Sequence, residues 1–240
     1  MESNKSIVTF VVIMCAVVSI ALAGLLIATK DIAKKNEEIF NKRAILKAVE
    51  SKLGDQLVAD LSDDEVLNIF DSKVEQFVTR IDGSEVDAVA VDVDMAKEKK
   101  KPEAERNLPV FIYDNGSSKN YIVAVRGNGL WDEIWGYIAL ESDLNTIAGA
   151  TFDHKGETPG LGAEIKDNPA FPASFINEKI YDDAGKYTSV KVVKGGADEG
   201  DIHAVDGISG ATVTADGVGE MLNRGLYYYD TYFQSLKKAN

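Results

Sequence analysis

The first hydrophobic pattern in the chain is an uncharged run of 24 residues, Ser6 to Thr29. At 1.5 Å per residue, a helix of this length spans the roughly 30 Å hydrocarbon core of a bilayer. Ala21-Leu22-Ala23 has the form of a signal cleavage site, but the apolar run continues through Ile27 and exceeds the ~7–15 residues of a signal core. The pattern therefore favours a retained transmembrane anchor over a cleaved signal.

After the anchor, apolar residues recur at helical spacing. One apolar face predicts a helix over residues 30–53, and Gly54 predicts its end. That face is formed by Ile32, Ile39, Leu46, Val49 and Leu53. Ser62 and Glu65 have the spacing of a capping box, which predicts a second helix. The second helix is expected to place Leu67, Phe70, Val74, Phe77 and Val78 on one side.

Alternating patterns predict strands from residue 86 onward. Residues 86–94 predict a strand, and 95–107 predict an exposed loop in which Lys97–Lys101 form a solvated turn. Four β-branched and aromatic segments separated by turn residues then predict a largely antiparallel meander. These segments are 109–113, 121–126, 134–140 and 146–152.

The last third of the chain mixes helix and strand. Asn168-Pro169 predicts the start of a short helix, and residues 188–193 predict another strand. Residues 213–235 predict a closing helix, which Gly217, Gly219 and Gly225 weaken. The whole chain is expected to be α+β: a single N-terminal transmembrane helix, a helical stalk, and a largely antiparallel sheet domain with flanking helices.

The charge balance is acidic, because 26 Lys and Arg stand against 39 Asp and Glu, for a formal net charge of −13. Nucleic-acid-binding proteins normally carry a basic face, so this balance argues against that class. Cys15 is the only cysteine, so this sequence alone supplies neither an intrachain disulfide nor a cysteine-ligated zinc or iron–sulfur site. His154 and His203 are the only histidines, which leaves little room for a histidine-rich metal site.

Three glycine-bearing loops are the candidates for chemistry. The loop at 206–214 suits either a Ser/Thr N-cap with a tight turn or an anion bound at a helix N-terminus. The loop at 154–162 suits close approach to a flat ligand or a long surface turn. The loop at 126–131 includes Trp131, which either anchors a core or stacks on a cofactor. No G-x-S-x-G motif or other hydrolytic constellation accompanies these loops, so a bound redox cofactor suits them better.

Four motifs in order carry a family resemblance. DGISGAT at 206–212 resembles the D-x-x-[ST]-G-A-T signal of proteins that carry FMN bound covalently through its phosphate to threonine. The other three are GNGLWDEIWGYIALE at 127–141, HKGETPGLGAEI at 154–165 and VVKGGAD at 192–198. With the N-terminal membrane helix, they resemble the NqrC family, whose members belong to Na⁺-translocating NADH:quinone oxidoreductases. The G subunits of Rnf ferredoxin:NAD⁺ complexes share ETPGLG and SGAT, but the GLW…G…ALE segment favours the NqrC family.

The resemblance implies where FMN is attached. Thr212, the last residue of SGAT, is expected to carry FMN by a phosphoester bond, with Thr214 as the alternative acceptor. Ser209, Gly210 and Ala211 are expected to solvate the phosphate. Asp206 is expected to serve the flavin transferase that attaches FMN, and Lys194 to place positive charge close to the flavin.

The resemblance also implies the surroundings of the flavin ring and a division of the chain. The ring is expected to contact Glu157, Thr158, Leu161 and Gly162, with Leu130 and Trp131 nearby. The expected divisions are a transmembrane anchor at 1–29, a helical stalk with the first strand region at 30–105, and an FMN-binding domain at 106–240.

The implied role is that of an electron carrier in a six-subunit membrane complex that passes electrons ultimately to quinone. The sequence has no dinucleotide-binding fingerprint, so NADH is expected to bind another subunit. One uninterrupted helix lacks the broken helices of ion pathways, so sodium transfer is expected to belong mostly to other subunits.

The resemblance and the charge pattern disagree on orientation. The family implies a single-pass protein of the inner membrane with its large domain in the periplasm. Only Lys5 precedes the anchor, whereas six basic residues follow it closely, and this bias favours a cytoplasmic domain. The six are Lys30, Lys34, Lys35, Lys42, Arg43 and Lys47. We follow the family. Two other classes stay open: a membrane-tethered module that binds flavin or another anion reversibly, and a scaffold with no ligand.

Overall fold

The computed structural model describes residues 2–54 and 56–239. Contacts divide the chain into two units, Met1–Phe40 and Asn41–Asn240. The predicted division at residues 29 and 105 stays a prediction.

The long helix α1 extends over Glu2–Lys47. Its most apolar window has a mean hydropathy of 3.0, and every side chain from Asn4 to Glu38 is exposed. The helix predicted for Ser6–Thr29 is therefore confirmed as a helix, with the length and composition needed to cross a bilayer. The end predicted at Gly54 is wrong, because α1 ends at Lys47 and a 3₁₀ turn follows at Glu50–Lys52.

The second unit is built on a six-stranded antiparallel sheet of order β2-β1-β3-β4-β5-β6. Its strands are β1 Val74–Thr79, β2 Glu85–Val86, β3 Leu108–Asp114, β4 Lys119–Asn128, β5 Glu133–Leu140 and β6 Ile147–His154. The predicted meander is confirmed as β3 to β6. A separate parallel pair consists of β7 Lys191–Val193 and β8 Ala204–Asp206. β7 is the second half of the strand predicted at 188–193.

Two predictions before the meander are wrong. The second helix does not continue to Val78, because α2 ends at Lys73 and Val74–Thr79 pairs along its whole length with β3. The strand predicted at 86–94 is reduced to Glu85–Val86. Gly83 closes a tight hairpin into this short strand, and the chain then forms a 3₁₀ turn at Ala90–Asp92.

Six helices follow α1 among the described residues. They are α2 Asp63–Lys73, α3 Met95–Glu98, α4 Glu164–Asp167, α5 Ala170–Ala173, α6 Thr212–Tyr227 and α7 Asp230–Ala239. The capping box is confirmed, since Ser62 Oγ accepts from the Glu65 N–H and the Glu65 carboxylate accepts from the Ser62 N–H. The short helix predicted at Asn168-Pro169 is confirmed as α5. The single closing helix predicted at 213–235 is wrong, because the structure has two helices there.

The sheet is covered on both faces, as period-two burial requires. On one face, Val110 of β3 and Val125 of β4 pack with α6 and α7. On the other face, Phe111 and Ile122 pack with Phe70 of α2 and the end of α1. The α+β class is confirmed. This packing holds α6 against β4, with the hairpin that follows β4 next to the start of the helix.

The loop at 95–107 is not wholly solvated. Lys99 Nζ donates hydrogen bonds to the Gly127 carbonyl and, at 2.6 Å, to Asn128 Oδ1. The solvated turn predicted for Lys97–Lys101 is therefore wrong at Lys99. The hydrogen bonds of this side chain connect the segment to the end of β4.

Candidate functional site

The candidate site begins where β8 ends and α6 starts. The N-cap of α6 is Ala211, and it provides no side-chain hydrogen bond to the helix. A Ser/Thr cap is therefore wrong for this helix. Alanine is a poor N-cap residue, so the first-turn N–H groups and the positive end of a 16-residue helix suit an anion.

A cavity of about 400 Å³ lies beside this helix start. It is lined by Lys194, Gly195, Gly196, Asp206, Gly207, Ile208, Ser209, Gly210, Thr212, Ala215 and Asp216. Asp206 Oδ1 accepts a hydrogen bond of 2.8 Å from the Ala197 N–H, which fixes the glycine-bearing turn after β7. Thr212 is half-buried and Lys194 is exposed, so the cavity combines a hydroxyl, a cation and backbone at one helix end.

The two threonines in the first turn of α6 have different surroundings. Thr214 is 1% exposed, and its Oγ1 donates a 2.6 Å hydrogen bond to Glu157 Oε2. Two residues along a helix correspond to a rotation of about 200°, so the side chains of Thr212 and Thr214 face nearly opposite directions. Of the two, only Thr212 lines the cavity.

Glu157 is a buried carboxylate behind the site. Its Oε1 accepts from the Trp131 N–H at 2.9 Å, and its own N–H donates to His154 Nδ1 at 3.1 Å. Burial opposes ionisation of this carboxyl. The hydrogen bonds from the Thr214 hydroxyl and from hairpin N–H groups outweigh burial and hold the pKa of Glu157 below its usual range.

Apolar side chains are exposed around the same loops. Leu130, Trp131, Leu161 and Val213 are each between 42% and 68% exposed. The Trp131 indole Nε1–H donates to Thr158 Oγ1 at 3.1 Å. A Cβ added to Gly210 would lie 3.0 Å from Leu161 Cδ2, so the loops at 154–162 and 206–210 touch. The three predicted loops therefore meet, with apolar side chains near an anion-compatible helix end.

Comparisons with known proteins identify the family. The family described as FMN-binding domain matches residues 129–227. NqrC of the Na(+)-translocating NADH-quinone reductase of Vibrio campbellii is 46% identical over 110 residues, a match that covers 45% of this chain and 41% of that relative. The NqrC relative from Pseudomonas aeruginosa is 31% identical over 265 residues, covering 99% of this chain and 98% of the relative. The chain belongs to the NqrC family of Na⁺-translocating NADH-quinone reductases.

Solved structures of NqrC proteins have the same fold. The crystal structure from Parabacteroides distasonis is 37% identical with a TM-score of 0.75, covering 85% of this chain and 96% of that chain. The structure of NqrC from Shewanella oneidensis is 32% identical with a TM-score of 0.71, covering 85% of this chain and 99% of that chain. The family resemblance drawn from the four motifs is confirmed.

The structure separates the site residues predicted from the NqrC family into three positions. Ser209, Gly210, Ala211, Thr212 and Lys194 lie at or beside the cavity. Leu130, Trp131, Thr158 and Leu161 lie on the surface of the neighbouring loops. Glu157, Gly162 and Thr214 lie behind that surface, where a Cβ on Gly162 would be 2.3 Å from Glu157 Oε2. Their roles toward a flavin remain predictions.

One exposed apolar residue at this site was missed by sequence reasoning. Val213 lies between the two threonines and is 53% exposed. Since α6 has both buried and exposed positions, the sequence does not show on which side Val213 lies, and only the structure identifies its exposure.

Proposed function

We propose that this chain is a membrane-anchored flavoprotein subunit of a Na⁺-translocating NADH:quinone reductase. In this proposal it carries electrons between partner subunits through FMN joined by its phosphate to Thr212. The names of its relatives and the match to the FMN-binding domain support the complex and the cofactor. When bound, FMN supplies the redox chemistry, and the protein supplies binding, orientation and electrostatics.

The observation that carries the proposal is the position of Thr212. It lines the cavity at the start of α6, where Ala211 provides no competing side-chain cap. A phosphodiester at Thr212 keeps one negative charge, which the first-turn N–H groups and the positive end of the helix stabilise. Gly210 lines the cavity with φ +79°, a left-handed conformation that glycine adopts without strain.

The exposed apolar side chains suit the flat part of the same cofactor. Leu130, Trp131 and Leu161 offer an apolar surface within the domain that matches the FMN-binding family. The buried Glu157 supports that surface from behind, and Thr158, on the same surface, accepts the indole N–H of Trp131. In this proposal the phosphate lies at α6 and the ring extends over the neighbouring loops.

We propose that α1 anchors the chain in the inner membrane with the second unit in the periplasm, among the other members of a six-subunit complex. The basic residues that follow the anchor favour the opposite orientation under the positive-inside rule. Fusing alkaline phosphatase or a fluorescent protein to the C-terminus decides this: phosphatase activity supports the periplasm, and fluorescence of the protein fusion contradicts it.

The proposed attachment is tested by co-expressing the full chain with a flavin transferase and denaturing it on a gel. A fluorescent band is expected, because a covalent bond survives denaturation. A dark band from a chain that holds flavin in its native state would indicate a reversible flavin-binding module. A chain that never holds flavin would favour a scaffold. Co-purification with Rnf-type partners would indicate the alternative G-type subunit.

Lys194→Met is expected to lower the reduction potential of the bound flavin. Lys194 lines the cavity, and its positive charge favours a reduced, anionic flavin. The shift is expected to be modest because the side chain is exposed and its field is screened. Redox titration measures the shift, with Lys191→Met, on the exposed start of β7, as the matched control. An unchanged potential in Lys194→Met, or equal shifts in both variants, refutes this role.

We propose that the Asp206 carboxylate serves the flavin transferase, for example by binding a metal ion. Asp206→Ala is therefore expected to impair flavin attachment. Asp206 also accepts the Ala197 N–H, so the alanine variant changes the loop as well as the charge. Asp206→Asn separates the two effects, since its amide oxygen still accepts that hydrogen bond. Impaired attachment in both variants supports a role of the charge. Attachment restored by asparagine, or normal attachment in alanine, contradicts it.

A further inference from the structure

Trp131 is an exposed aromatic residue whose two N–H groups both have acceptors. Its ring is on the surface, with 68% of the residue exposed. Its backbone N–H donates to Glu157 Oε1 at 2.9 Å, and its indole N–H donates to Thr158 Oγ1 at 3.1 Å. Surface side chains ordinarily change rotamer within picoseconds to nanoseconds. The indole bond restrains this rotation, and the backbone bond fixes the hairpin segment that carries the side chain.

The carboxylate that holds Trp131 also holds the first turn of α6. Glu157 Oε2 accepts the Thr214 hydroxyl at 2.6 Å, so one side chain joins the β4–β5 hairpin to the helix that carries Thr212. Glu157 itself is 5% exposed and is held at its backbone by His154 Nδ1. The bond to Thr214 is buried, and the bond to Trp131 is part-buried.

The surrounding glycines leave space for this carboxylate and little more. A Cβ on Gly129 would lie 2.5 Å from Glu157 Oε1, and a Cβ on Gly162 would lie 2.3 Å from Oε2. Backbone therefore encloses both oxygens, and each oxygen has a hydrogen-bond donor. A buried carboxylate without donors would be strongly unfavourable, so this arrangement is specific to one position of the hairpin relative to α6.

We propose that Glu157 is a positioning residue that locks the Trp131 hairpin to the first turn of α6. The lock keeps the indole face in a fixed relation to Thr212 before any flavin is attached. A flat aromatic ligand then binds a surface that is already ordered, so binding does not lose the conformational entropy of ordering it. The functional meaning of the lock rests on the proposed flavin attachment, but the lock itself is a property of the chain without flavin.

The test uses the fluorescence of Trp131 in the full chain, in detergent and without the transferase. The chain has two tryptophans, and Trp135→Phe leaves Trp131 as the only one. In this parent, time-resolved anisotropy is expected to show only the slow decay of overall tumbling. Glu157→Ala is expected to add a fast nanosecond component, whereas Glu220→Ala, on the exposed side of α6, is expected to leave the decay unchanged.

Two further variants separate a lock from a local bond. Thr214→Val removes the link between Glu157 and α6 without touching Trp131, and it is also expected to add the fast component. Glu157→Gln is expected to restore the slow decay, because its carbonyl accepts the Trp131 N–H and its amide donates to the Thr214 hydroxyl.

An unchanged decay in Thr214→Val overturns the lock, even if Glu157→Ala fails to fold. A fast component in Glu157→Gln would show that hydrogen bonds from residue 157 do not hold the hairpin to α6, and this result also overturns the proposal. These results do not depend on flavin, so a wild-type chain that is never flavinylated refutes the proposed function and leaves the lock standing.

Discussion

A chain with Thr212→Ala is expected to carry no covalent flavin after co-expression with a flavin transferase. Thr212 lines the cavity at the start of α6, whereas the hydroxyl of Thr214 is buried and bonded to Glu157. Removing the Thr212 hydroxyl therefore removes the proposed acceptor from a residue that lines the cavity. Fluorescence of the denatured band measures the result, and a loss of the whole signal is expected.

The matched control for this variant is Thr214→Val. It deletes the second hydroxyl of the same helix turn while keeping a branched side chain of similar volume. Its band is expected to stay fluorescent, because the bond that it breaks lies behind the site. A fluorescent Thr212→Ala chain together with a dark Thr214→Val chain would move the attachment to Thr214.

Gly217→Ala is expected to destabilise the second unit, although alanine favours helices over glycine by about 0.8–1.0 kcal/mol. A Cβ at this position would lie 2.3 Å from the Asn128 carbonyl oxygen, so α6 and the end of β4 would have to separate. Overpacking of this kind costs about 1–3 kcal/mol, which exceeds the gain in helix propensity.

Gly219→Ala provides a control within the same helix. The atom nearest to an added Cβ is the Val192 nitrogen at 3.5 Å, an ordinary contact. This variant is therefore expected to be stabilised by up to about 1 kcal/mol. Urea denaturation of the full chain in detergent is expected to shift the two midpoints in opposite directions. Stabilisation of both variants would contradict the close approach of Asn128 to α6.

The sheet meander could be predicted from the sequence because its signals are local. Segments 109–113 to 146–152 alternate or are β-branched, and turn residues separate them. β1 could not be predicted in this way, since the apolar residues from Leu67 to Val78 fit a helical face. The pairing of Val74–Thr79 with β3, about thirty residues later, decides in favour of a strand.

The candidate site could be predicted only at the level of its loops. Motif resemblance identifies Thr212 and the loops at 126–131 and 154–162, and the structure brings these loops together. The motif resemblance does not reveal that Ala211 is the N-cap, because the start of a helix depends on the preceding strand β8. Nor does it reveal that Glu157 holds Thr214 and Trp131, since that role requires three segments distant in sequence to meet.

The most direct test of the account is the mass spectrum of one tryptic peptide from the chain purified after co-expression with the transferase. No Lys or Arg lies between Lys194 and Arg224, so residues 195–224 form a single peptide that includes Ser209, Thr212 and Thr214. Fragment ions are expected to assign an FMN phosphoester to Thr212. Flavin on Ser209 or Thr214, or a peptide without flavin, would contradict it.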